Sequence, residues 1–346
     1  MRVSRVDPFG ERRRRTWRRR YLVLGARVDF ECETAALAAV VDAAYAGLPV
    51  TRVRRGMPVY RVCLRFMPDD TSSFRRAPPR PRYSSGGGLI SATIDASNYS
   101  VVAPAGRSAL VVVSPAMLAR PYDLRCELLE FAVFTLVERD QPVLPLHAAC
   151  VGFRDRAVLL LGESGAGKST ATLQCMLAGL GVLAEDVVFV EPRRLTVTGL
   201  PNYIHLRLET PRLLPVAQAR RIRRAPVIER RGSGVRKYEV DLRGTARSKL
   251  QLPARLVATV LLSRKVSHSG KLMHELPASE ILSAQDFSAT IDLYSVVEHV
   301  HRTRLIPFTP KGAAPLLGYA LAPFIPIFLT VLPLKDLLQY AAKFLL

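Results

Sequence analysis

Between Leu159 and Thr170 the chain reads Leu-Leu-Leu-Gly-Glu-Ser-Gly-Ala-Gly-Lys-Ser-Thr, and Gly162, Gly167, Lys168 and Ser169 fit the spacing G-x-x-x-x-G-K-[ST]. These residue types suit the binding of phosphates. Glycines let the backbone fold into a concave nest of N–H groups around an anion. Lys168 supplies a positive charge for the outer phosphates of a nucleotide, and the Ser169 hydroxyl suits Mg²⁺. A helix beginning at about Gly167 aims its positive end at the same anion. The expected nucleotide-binding residues are Gly162, Glu163, Ser164, Gly165, Ala166, Gly167, Lys168, Ser169 and Thr170.

A phosphate loop says that a nucleotide binds, not what happens to it. Glu185 and Asp186 follow Lys168 by 17 and 18 residues, past the helix and at a strand edge. A metal-binding carboxylate is needed there. Two adjacent carboxylates could divide the work, one holding Mg²⁺ and the other taking the proton from an attacking hydroxyl. The plainer alternative is a solvated Glu-Asp turn. His147 lies on a strand-like run 15 residues ahead of Gly162; taken alone, it reads as a structural histidine. Arg207 and Lys237 are candidate cations for a charged transition state. In so arginine-rich a chain, the plainer reading of each is a surface or structural residue.

The elements that must hold these residues follow from apolar periodicity. Ala157–Leu161 reads as a strand entering the loop, and Ser169–Leu180 as the helix leaving it. Val143–Val151 reads as a strand that contains His147, and Val182–Ala184 and Val187–Val190 as strands on either side of Glu185-Asp186. Tyr203–Leu208, Tyr238–Leu242 and Leu256–Leu262 add further strands. The arginine-dense stretch 212–237 reads as a surface loop. Ahead of this region, Tyr21–Glu31 and Val59–Phe66 alternate as strands, Thr34 opens an alanine-rich helix to about Ala46, and 69–88 reads as a loop. Leu89–Ile94, Tyr99–Ala103 and Ser108–Val113 suggest a β-meander. Pro121–Arg139 has the spacing of an amphipathic helix, expected to pack a second domain onto a first.

His147-Ala148-Ala149, then Gly162 to Thr170, then Leu183-Ala184-Glu185-Asp186, in that order and spacing, resemble the catalytic domain of the HPr kinase/phosphorylase family. The chain is similar in particular to HPr-kinase-related proteins found with ribosomal-peptide biosynthesis systems, lasso peptides among them, which share the Pro-Leu-His-Ala-Ala-Cys wording of residues 145–150. The resemblance covers about residues 143–262. It implies an α/β fold, the HPr-kinase-like (phosphoenolpyruvate-carboxykinase-like) P-loop domain, preceded by a smaller α+β N-terminal domain. It implies phosphoryl transfer from ATP, with Mg²⁺, to a serine hydroxyl of a small protein or peptide. The matching catalytic positions are His147, Glu185 and Asp186, and the metal positions Ser169 and Asp186. HPr kinases proper carry Asp-Asp where this chain has Glu185-Asp186. Their Glu-(Ile/Val)-Arg-Gly-Leu-Gly segment is only faintly echoed by Tyr238–Gly244.

The whole chain has 346 residues, of which 49% are hydrophobic, enough for two domains with a sizeable core. The expected boundaries are a mobile basic arm over 1–20, an α+β domain over 21–120, the kinase-like domain over 121–311 and an apolar helical segment over 312–346. The 50 Lys and Arg against 29 Asp and Glu favour acidic partners, or else reflect an arginine-preferring codon usage. Residues 312–334 carry no charge, but Pro315, Pro323, Pro326 and Pro333 argue for short buried helices over a membrane span. Peripheral membrane contact is the disfavoured alternative, nucleic acid is disfavoured as a partner, and a homo-oligomer is compatible with the resemblance. Five widely spaced cysteines without C-x-x-C suggest neither a disulfide framework nor zinc, and point to a reducing cytoplasm. Two other function classes remain open from the sequence: a P-loop ATPase or switch without a phosphoacceptor, and a non-enzymatic basic binding module that keeps a nucleotide site. The absence of H-R-D and D-F-G disfavours a protein-kinase-like enzyme.

Overall fold

The computed structural model describes residues 17–49, 56–68, 74, 77–161, 165–191, 194–230, 234–243, 252–261 and 327–328. Gly162, Glu163 and Ser164, the segment 1–16 and nearly all of 312–346 lie outside the described residues. The expectations of a mobile arm and of C-terminal helices therefore fall largely outside them. The fold is mixed α/β. It divides into two units, with the main divide between Pro142 and Val143, later than the boundary expected at 120.

The first unit is built on a seven-stranded sheet. Tyr21–Glu31, expected as one strand, is instead the centre of a hairpin, Trp17–Val23 against Ala26–Cys32. Leu24 and Gly25 both take positive φ, 51° and 76°, which gives a two-residue turn whose twist matches the strands it joins. Trp17–Arg20, assigned above to the basic arm, thus belong to a strand. Helix Ala35–Tyr45 is capped by Thr34, whose hydroxyl accepts from the Leu37 amide. It buries Leu37, Val41 and Tyr45, and Tyr45 stacks on Phe30 with ring centroids 5.2 Å apart. The chain then crosses to Val59–Phe66, parallel to Ala26–Cys32. Ser108–Val113 continues in parallel, followed by the antiparallel meander expected from the sequence and by Arg82–Gly86, a strand inside the stretch read as loop.

Pro121–Arg139 was expected to join the two domains. It includes a π-helical turn over Leu124–Leu129 and continues as helix Glu130–Asp140. This helix packs on strands Val59–Phe66, Asn98–Ala103 and Ser108–Val113 and buries Phe131, Val133 and Leu136. It is therefore part of the first unit's own core.

The second unit holds a mixed sheet in the order Gly181–Ala184, Ala149–Phe153, Arg156–Leu161, Ala254–Leu261, Thr196–Gly199, Val187–Glu191, Leu144–His147. Arg156–Leu161 runs parallel to Ala254–Leu261 and antiparallel to Ala149–Phe153. Its side chains are buried on both faces: Ala157 and Leu159 join one cluster with Leu146, Leu183 and Val197, and Val158 and Leu160 another with Val151, Ala171 and Cys175. An unbroken apolar run is what such a strand requires. Helix Lys168–Leu177 contributes Ala171 and Cys175 to that second cluster, and Leu173 to a third with Ile204, Leu206, Ile222 and Val240. The helix therefore lies between the sheet and the antiparallel pair Tyr203–Arg207 with Arg236–Asp241.

Two further expectations are corrected. Val143–Val151 is two strands broken at Ala148, which pair with different partners. The stretch 212–237 is not all loop: Val216–Arg223 is a helix that buries Ala219 and Ile222 beneath its arginines. All five cysteines are free and four are buried. Burial pushes the Cys32 and Cys175 thiols up to about 12, where they are inert hydrophobes rather than nucleophiles. No helix among the described residues is long and apolar enough to cross a membrane.

Candidate functional site

The site forms where Arg156–Leu161 ends and helix Lys168–Leu177 begins. Gly165 and Gly167 take φ of 84° and 107°, values that L side chains rarely adopt. Gly167 is the residue that caps the helix. Lys168 sits at its first position and is 7% exposed. Its carbonyl accepts a 2.9 Å hydrogen bond from Thr172 Oγ1. Positive φ at two glycines followed at once by a helix start is a backbone shape that suits an anion.

The two carboxylates reach this point through a chain crossing. Strand Gly181–Ala184 lies at one end of the sheet order, and the next strand, Val187–Glu191, lies near the other. Glu185 and Asp186 form the bend between them. Gly199 makes that crossing fit: a Cβ there would stand 2.5 Å from Ala184 Cβ and 2.7 Å from the Leu183 carbonyl oxygen. Only a glycine accepts so close an approach.

The bend sends the carboxylates in different directions. Glu185 is buried, and its Oε1 accepts a hydrogen bond from the Ser169 hydroxyl. Asp186 is 39% exposed and lies 3.2 Å from His147 Nδ1. That pairing follows from register, since His147 stands opposite Val187, the residue after Asp186. The metal pair expected from the sequence was Ser169 with Asp186. In the structure Ser169 meets Glu185 instead, because Asp186 turns outward to His147.

Two residues of the site, His205 and Glu239, went unread in the sequence. His205 lies between two carboxylates, Nδ1 at 3.3 Å from Glu185 Oε2 and Nε2 at 3.2 Å from Glu239 Oε1. All three side chains are nearly buried, at 7% for Glu185, 12% for His205 and 11% for Glu239. Burial works against the imidazolium, but the hydrogen bonds and charges of Glu185 and Glu239 outweigh it and raise the His205 pKa to about 9. Burial also pushes Glu185 up, as does Asp186. The hydrogen bonds and charge of His205 and the Ser169 hydroxyl prevail and hold Glu185 below the usual carboxylate range. His205 is therefore protonated at neutral pH, with Glu185 on one side of the ring and Glu239 on the other. Alternation on the two strands gives a partial signal: Ile204 and Leu206 flank His205, and Val240 follows Glu239. Only the pairing register, His205 opposite Glu239, brings the two polar residues together, and one sequence does not state a register.

Arg207 comes to the loop from the same strand. Its Nη2 is 3.1 Å from where a Cβ on Gly165 would stand. Lys237 is its cross-strand partner. Both cations named from the sequence therefore lie at the same end of this pair, and Arg207 comes close to Gly165. Arg243, in the segment that echoes the family signature, is engaged elsewhere: it donates to Asp241 and, at 2.9 Å, to the Tyr203 hydroxyl.

The donor chemistry at Ser169 and Glu185 is all oxygen, which suits a hard cation such as Mg²⁺. Among the described residues no group of three His, Cys, Asp or Glu is arranged to hold a metal by itself. Mg²⁺ bound mainly by nucleotide phosphates and water needs only one or two protein oxygens. The residues present fit that mode.

No protein-family model matches this chain, and no curated protein matches it. Among solved structures, the Hpr(Ser) kinase/phosphatase from Coxiella burnetii is similar over 51% of this chain and 94% of that one, at 15% identity and a TM-score of 0.24.

Proposed function

We propose that the protein is an ATP-dependent kinase that transfers the γ-phosphoryl group to a serine hydroxyl of a small protein or peptide. The observation behind this reading is the division of the two carboxylates: Glu185 inward on Ser169, Asp186 outward on His147. A nucleotide switch needs the first arrangement. An accessible carboxylate beside the loop, steadied by a histidine, is what a hydroxyl acceptor needs in addition.

The roles follow from placement. Gly165, Gly167 and the start of the helix would receive the nucleotide phosphates, with Lys168 against the outer ones. Ser169 and Glu185 would hold Mg²⁺, which supplies charge neutralisation for the transferring group. Asp186, oriented by His147, would take the proton of the acceptor serine. Arg207 would stabilise charge on the phosphoryl group in flight.

The test uses ATP labelled at the γ-phosphate with a library of serine-containing peptides. Label should appear on serine and be lost in Lys168→Ala and Asp186→Asn, while Asp186→Asn retains nucleotide binding. Phosphate released into solution with no labelled serine would favour an ATPase. Full transfer by Asp186→Asn would remove Asp186 as the base.

A further inference from the structure

We infer that His205 and Glu239, which lie outside the phosphate loop in sequence, are positioning residues that hold Glu185 in place for the metal-nucleotide site. The inference rests on the nucleotide-binding part of the reading above and goes beyond it in assigning work to two residues outside the loop.

The geometry fixes one thing at each step. Glu185 divides its two oxygens, Oε1 to Ser169 and Oε2 to His205, so the rotation of the carboxylate plane is set from both sides. His205 uses both ring nitrogens, one on each carboxylate, so the ring cannot turn without losing a partner. Glu239 is placed by the backbone, since His205 and Glu239 are directly opposite in the pair Tyr203–Arg207 with Arg236–Asp241. The far end of the chain of contacts is therefore anchored in a strand register and its near end touches the Ser169 hydroxyl.

A purely structural role explains this poorly. Burying two acidic side chains and a histidine carries a large desolvation cost, and apolar residues of similar volume often serve stability as well or better. The other faces of the same strands already use Ile204, Leu206 and Val240 in that way. The charged set occurs only on the face that meets Glu185. Outer residues of this kind orient a metal-binding group, and their loss typically lowers metal affinity about 10–100-fold.

The experiment measures binding of ADP to the full chain, once with Mg²⁺ and once with EDTA, for the wild type, Glu239→Gln and His205→Asn, and for Glu239→Gln in a Ser169→Ala background. Thermal midpoints accompany each. Glu239→Gln should weaken Mg·ADP binding by about tenfold or more and leave binding in EDTA within about twofold. In the Ser169→Ala background the same change should add less than about twofold, because Ser169 fixes the other oxygen of the carboxylate that the chain positions, and one loose end already frees it. If His205→Asn fails to fold, the isosteric Glu239→Gln still decides the matter. Equal losses with and without Mg²⁺, full additivity with Ser169→Ala, or unchanged Mg·ADP binding would each overturn the inference while leaving the kinase reading intact. A wild type that binds no nucleotide under either condition would overturn both.

Discussion

Two regions of this protein pair charges in opposite ways. On the N-terminal hairpin, Arg20 meets Asp29 at 2.7 Å with side chains 66% and 31% exposed, and Arg19 meets Asp42 at 2.7 Å with both about one-third exposed. Behind the phosphate loop, Glu185, His205 and Glu239 make longer contacts, 3.2–3.3 Å, but are almost sealed from water. The shorter contacts should be the weaker ones. Exposed pairs gain little because water and salt screen them. Buried groups interact strongly, and removing one leaves the others unsatisfied. Contact distance and burial therefore rank these two regions in opposite orders.

The largest effect should come from removing the centre of the buried chain. His205→Leu leaves Glu185 and Glu239 buried without the cation between them and should cost about 3–5 kcal/mol of stability. The denaturant midpoint measures this. A loss below about 1 kcal/mol would mean that the buried chain behaves like the hairpin pairs, and the comparison would fail.

The same chain should also be visible in the wild type as a pH dependence. Folding raises the His205 pKa from an ordinary 6.5 to about 9, so the folded state favours its protonated form. That contribution is fully present below pH 6.5 and lost as pH rises through about 9. The shift corresponds to about 3 kcal/mol, and the loss should be absent from His205→Leu. Denaturant unfolding at intervals from pH 6 to pH 10 follows it. A flat profile for the wild type over that range would contradict the assigned protonation.

A smaller effect tests how Glu185 is delivered. Gly199→Ala forces a methyl group against Ala184 Cβ and the Leu183 carbonyl oxygen, and should cost about 1–3 kcal/mol. Because the bend at Glu185 follows Ala184 directly, Mg·nucleotide binding should fall as well. Destabilisation with unchanged binding would separate the crossing from the site.

How much of this was legible beforehand depended on whether the information is local. The phosphate loop is a contiguous motif, and the helix and strand around it follow from adjacent apolar runs, so both could be read. Thr34 as a cap and the meander from Leu89 to Val113 are equally local. The hairpin turn at Leu24-Gly25 was missed because a leucine at positive φ gives no turn signal of the usual Asn-Gly or Asp-Gly kind. The break at Ala148 was missed because apolar strand residues lie on both sides of it. The partition of Glu185 and Asp186 depends on Gly199 and on the register of His147 with Val187, and Glu239 meets His205 only through a strand pairing. Those are long-range facts, and periodicity does not contain them.

The smallest expected effect lies at the other end of the comparison. Arg20→Ala removes the shortest contact of the Arg20–Asp29 pair, but Asp29 is not abandoned, since Arg27 Nε is 3.6 Å from the same oxygen. The arginine side chain is two-thirds exposed, so water takes over its remaining interactions. Stability should change by no more than about 0.5 kcal/mol, and less in 1 M salt than at low salt because the Debye length there is only about 3 Å. Denaturant midpoints at the two salt concentrations check both statements. A loss above about 1 kcal/mol that persists in high salt would mean that Arg20 acts by packing its aliphatic stem rather than by its charge, and the hairpin pairs would then have to be judged by the surface they cover.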